Sequence, residues 1–172
     1  RAVYPLMEQW GSEGQYTRGD WLWKLEGIER HVSGTVYRAV DAGVEYTQVG
    51  VAGSVVDLGW LFEVLHDSRG DDATTPFASD VLMGWRVAGN DAAASQALLY
   101  AIVDHDSREA LWSLEASTRL RDWLTVSLQL RSVRRSRPAP SALEFLRAPQ
   151  GATSLQPLSR DDHARIELTA FF

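Results

Sequence analysis

A two-residue alternation of apolar and polar side chains, repeated in segments of about ten residues, constrains this chain more than any other feature. Over 56–64, Val56, Leu58, Trp60, Phe62 and Val64 alternate with Asp57, Gly59, Leu61 and Glu63. The same rhythm sets Trp21, Trp23 and Leu25 against Lys24 and Glu26 over 21–28, and Val40, Ala42, Val44 and Tyr46 against Asp41, Gly43 and Glu45 over 39–47. It recurs over 80–87, 112–120, 124–131 and 164–172, whereas 96–103 is apolar on both parities. Successive side chains of a strand point to opposite faces, so each segment reads as a strand with one apolar and one polar face. A helix would place Glu63 or Glu115 inside an apolar stripe. Eight clear strands result. Residues 7–16, followed by Thr17-Arg18-Gly19-Asp20, read as a ninth, weaker strand with a tight turn. One short helical turn is expected over 141–147, behind Pro138 and Pro140.

The links between segments alternate in length. Those at 49–55, 89–95 and 121–123 are tight and rich in Gly, Asn, Asp and Ala, while those at 66–79 and 132–162 are long and polar. Links at 31–35 and 104–109 are shorter but fall on the same side as the long ones. An antiparallel up-and-down meander with its tight turns at one end produces that pattern.

Alternation alone leaves open which face is wet. A soluble ligand-binding barrel lines its interior with the apolar face, and a membrane barrel turns that face to lipid. The polar parity carries Lys24, Glu26, Asp41, Glu45, Asp57, Glu63, Arg86, Glu115, Arg119, Arg131, Arg165 and Glu167, charges that pair readily across a lumen. The apolar parity carries Trp21, Trp23, Tyr46, Trp60, Trp85 and Trp112, as an interfacial aromatic belt does. A mean hydropathy of −0.21 looks soluble only because the two parities cancel. A net charge of −6 argues against a nucleic-acid binder, and the absence of cysteine excludes a disulfide scaffold, a Cys-ligated zinc and a cysteine nucleophile.

The terminal run Ala164-Arg165-Ile166-Glu167-Leu168-Thr169-Ala170-Phe171-Phe172 resembles the last strand of Gram-negative outer-membrane β-barrel proteins, which alternates and ends on an aromatic residue. The stretches GDWLWKLEGI (19–28), GVEYTQVGV (43–51), DLGWLFEVLHDSRGDDATTPF (57–77) and LWSLEASTRLRD (111–122) resemble an uncharacterised proteobacterial outer-membrane family. The resemblance implies a location in the outer membrane and an assembly signal at Phe172, recognised by the barrel-assembly machinery. It implies no activity. With Phe172 on the periplasmic side, the three tight links are periplasmic and the two long ones external, as such barrels require. An odd strand count, with a chain opening Arg1-Ala2-Val3-Tyr4 and no signal peptide, leads to the expectation of the C-terminal part of a larger barrel.

Candidate chemistry is sparse. His31, His66, His105 and His163 all fall near the outer strand ends, where interfacial histidines outweigh a metal rim. Asp67, Asp71, Asp72, Asp104, Asp106 and Glu109 are acidic but lack the spacing of a calcium loop, and Arg69-Gly70-Asp71 carries no weight as an adhesion motif. Ser107 lies near His105 and Asp104 without a nucleophile-elbow motif. Arg131, Arg134, Arg135 and Arg137 form the one basic cluster and suit lipopolysaccharide phosphates. The expectation is therefore an all-β, antiparallel, up-and-down transmembrane β-barrel forming a single domain over 1–172. It is a porin-like passage with no catalytic residues, no metal and no cofactor, in contact with outer-membrane lipid and lipopolysaccharide and with no nucleic acid. The alternatives are a structural or interaction barrel without a channel, an outer-membrane enzyme, and a soluble lipocalin-like barrel.

Overall fold

The computed structural model describes residues 6–70, 73, 75–134, 158 and 162–172. They form one antiparallel sheet of nine strands in strict chain order: β1 (Met7–Arg18), β2 (Trp21–Val32), β3 (Thr35–Gln48), β4 (Asp57–Asp67), β5 (Ser79–Ala88), β6 (Gln96–Asp104), β7 (Ala110–Arg121), β8 (Leu124–Arg134) and β9 (His163–Ala170). One 3-10 turn, Val51–Gly53, lies wholly within the described residues. Every strand pairs with its sequence neighbour. The sheet does not close: β1 and β9 each have one partner and one open edge.

Strand parity agrees with the alternation, and strand length exceeds it. β2 and β3 run on to a two-residue turn at Ser33-Gly34, where the expectation was a looser link over 31–35. Both turn residues have positive φ (49° and 83°), the left-handed geometry that matches the twist of paired strands. Alternation fades at Glu29-Arg30-His31 because polar residues occupy both parities there, yet the ladder hydrogen bonds continue. The weak ninth segment is a full twelve-residue strand. At the other end, β9 stops at Ala170, short of the expected 172. Phe171 donates its N–H to the Trp123 carbonyl at 2.9 Å, and Phe172 lies fully exposed beyond the strand. The expected helix at 141–147 lies outside the described residues.

Among the described residues no second layer covers the sheet, and over β2 to β8 one face is the more buried. Trp60, Met83 and Ile166 on the apolar face are 47%, 51% and 72% exposed, whereas Glu45, Asp80 and Ser113 on the polar face are 5%, 1% and 1% exposed. A single-layer sheet buries one face by curling toward it and by connections that pack over it. The inward side is the polar one. Its one apolar cluster, Ile102, Leu111 and Val133, sits on β6, β7 and β8 and is covered by Leu82, Tyr100, Phe77 and Leu158. Phe77 belongs to the β4–β5 connection and Leu158 to the β8–β9 connection, and both side chains pack onto this face.

Candidate functional site: the polar face of the sheet

The register brings all twelve charged residues of the polar parity, Lys24 through Glu167, onto this one concave face. Some of them pair. Lys24 Nζ on β2 donates to Glu63 Oε1 on β4 at 3.2 Å, across the intervening β3. Arg86 on β5 bonds Glu45 on β3 in the same way, across β4. Both pairs span a whole strand because a glycine lies between them. Gly43 is the register partner of Lys24 and Glu63, and a Cβ there would sit 2.6 Å from Glu63 Cγ. Gly59 separates Glu45 from Arg86, and a Cβ there would meet Glu45 Oε1 at 3.2 Å. Missing side chains thus make the charge pairs possible. Glycines recurring on the polar parity were a signal available in the sequence, but without register their neighbours were unknown.

Asp57 at the start of β4 receives the Gly50 N–H and the Asn90 side-chain amide, which tie the 49–56 turn to the neighbouring 89–95 turn. Arg165 and Glu167 pair with each other along β9, and Gln129 donates to Glu115 at 3.3 Å. With Arg86, Ser117 and Gln129 they surround an open cavity of about 450 Å³. Toward the opposite strand ends, Glu26, Asp41, Arg30 and Arg69 line a second cavity of about 340 Å³, roofed by Thr75 and Phe77. Arg69 is itself anchored at this end. It bonds Asp67 and lies 4.6 Å over the Tyr37 ring, while Ser68 exchanges hydrogen bonds with the Arg38 backbone.

The opposite face is mainly apolar, with charged residues such as Glu29 and Arg38 confined to the strand ends. Trp21, Tyr46, Trp60 and Trp85 are successive register partners on β2 to β5 and form one lateral row, with Trp21–Tyr46 ring centroids 4.8 Å apart and Trp60–Trp85 5.9 Å. Trp23 stacks on Tyr16 of β1 at 5.7 Å. The row starts next to the 19–20 turn, at the sheet end that also carries the 49–56, 89–95 and 122–123 turns.

The other candidates disperse. His31 and His66 lie on the apolar parity, His163 on the polar one, and no group of three or more His, Asp or Glu among the described residues is arranged to hold a metal ion. Ser107 accepts the Glu109 N–H, and its own N–H bonds Asp104 Oδ1, as does that of Asp106. That is the geometry of a capped turn. Of the basic cluster, Arg131 faces inward and Arg134 follows on the apolar parity, so the two point apart; Arg135 and Arg137, like Asp71 and Asp72, lie outside the described residues. A scan against protein-family models found no match, and searches of curated proteins and of solved structures found no similar chain.

Proposed function

We propose that this sheet is wall material of an outer-membrane β-barrel, with the apolar face against lipid and the polar face lining a passage for small hydrophilic solutes. One observation carries the reading: exposure is inverted relative to a water-soluble sheet. A soluble sheet hides its apolar face in a core. Here Trp, Phe, Met, Ile and Leu side chains stand uncovered on the outside while carboxylates are buried within. Eight strands have 9–14 residues and β9 has 8, against the roughly 9–11 a tilted strand needs to cross a bilayer. The aromatic row near the tight turns matches an interfacial girdle.

Topology adds a condition. β1 and β9 run in the same direction, so antiparallel closure needs an odd number of further strands between them, for an even total. On this reading the nine strands are part of the wall of a larger barrel. Phe172, exposed at the end of β9, then serves as the signal for the assembly machinery. Of the basic cluster, Arg134, on the apolar parity at the end of β8, is the guanidinium placed to meet lipopolysaccharide phosphates.

The test is conductance. Full-length protein reconstituted in a planar bilayer should give discrete conducting steps, and complete silence would remove the passage. A second reading, a barrel sealed by its own loops, rests on Phe77 and Leu158 packed against Ile102, Leu111 and Val133. It expects silence from the native chain and steps from Phe77→Ala.

A further inference from the structure

One lateral row of the concave face is predominantly acidic. Register places Glu13 beside Glu26, Glu26 beside Asp41, Asp41 beside Leu65, Leu65 beside Asp80 and Asp80 beside Asp104. Five of six successive positions are carboxylates, from β1 to β6. Like charges directly opposite each other across a strand pair are destabilising, so this row is not a device that holds the wall together. The neutral pairs Lys24–Glu63 and Glu45–Arg86 lie in other rows and serve that purpose. Among the described residues, neither Glu26 nor Asp41 has a cationic group within ion-pair distance. Within the row, Asp80 is 1% exposed and its Oδ1 has no hydrogen-bond partner. Such an oxygen is costly unless something else satisfies it.

We infer that the row attracts mobile hydrated cations and makes the passage cation-selective. The inference rests on the passage reading above. Neighbouring strands are about 4.8 Å apart, which spreads the carboxylates along the wall instead of gathering them around one point. The absence of any convergent metal-ligand group among the described residues agrees with that. A spread row of one sign raises the local concentration of counter-ions without trapping one, as in the acidic rings of cation channels. The cavity that Glu26 and Asp41 line with Arg30 and Arg69 opens these two carboxylates of the row to solvent.

Reversal potential under a potassium chloride gradient tests this on full-length protein in planar bilayers. The expected result is displacement toward the potassium equilibrium potential, reduced in the Glu26→Gln/Asp41→Asn double variant and kept in Glu8→Gln, which removes a carboxylate from the other face. Conducting steps with a reversal potential at zero, or displaced toward chloride, overturn the selectivity and leave the passage standing. Silence from the native chain overturns both. The native reversal potential decides the matter even where the double variant fails to assemble.

Discussion

The two faces of this sheet are made by the same strands, residue by residue, and they obey opposite rules. On the outer face the side chains are large, apolar and exposed, and their neighbours matter little: Val44, Phe62 and Met83 lie side by side with no partner layer above them. On the inner face each residue depends on its lateral neighbours. Glu45 needs Arg86, the pair needs Gly59, and Lys24 reaches Glu63 only over Gly43. The outer face is specified by solvent and the inner face by register. Its chemistry is therefore generic outside and particular inside.

The comparison breaks most sharply by placing charge on the wrong face. Phe62→Arg on the outer face is expected to cost about 2–4 kcal/mol in a lipid bilayer, read by urea unfolding of the vesicle-inserted protein. Ser127→Lys on the inner face, next to Glu167, is expected to stay within about 0.5 kcal/mol in the same assay. Equal costs would mean that the faces are not solvated as proposed. Next comes close packing on the inner face. In Gly84→Ala the new Cβ would sit 2.8 Å from both the Leu99 carbonyl oxygen and Tyr100 Cβ, so backbone must shift. A loss of about 1–3 kcal/mol is expected, while Gly14→Ala, with open space around it, should change stability by no more than a few tenths. Removing one partner of a charge pair ranks below that. Arg86→Met leaves the buried Glu45 carboxylate alone. Because the arginine is itself half exposed and solvent-screened, about 1–2 kcal/mol is expected instead of the larger cost of a fully buried pair. A double-mutant cycle with Glu45→Gln should recover most of it.

The smallest effect lies off the sheet. Asp91 in the 89–95 turn accepts the Ser95 N–H, and that hydrogen bond holds its carboxyl below the usual range. A folded pKa below the unfolded one stabilises the turn at neutral pH, and this contribution fades as the pH falls from about 4 through the lowered value. Amide exchange at Ser95 should therefore become less protected in acid, with the change abolished in Asp91→Ala.

Much of the fold was legible because period-2 alternation is a local property. Trp60 and Glu63 announce opposite faces whatever the rest of the chain does, and all twelve inward charges were readable this way. Strand ends were less legible: at Glu29-Arg30-His31 and again at Phe171-Phe172, alternation and hydrogen bonding part company. The histidines and the Asp104-His105-Ser107 stretch suggested chemistry by proximity in sequence, but a strand sends neighbours to opposite sides and a turn uses Asp104 to cap its own amides.

The sequence by itself determined that the chain is an all-β meander with one apolar and one charged face, since a side chain's face depends only on its position along its own strand. What only the tertiary structure decided is who meets whom across the strands. Register is set by turn geometry and by the pairing of distant segments, and a shift of two residues preserves every face while exchanging every lateral partner. That is why the carboxylate row from Glu13 to Asp104, the glycine gaps beneath the ion pairs and the return of Phe77 to the concave face became visible only once the nine strands lay side by side.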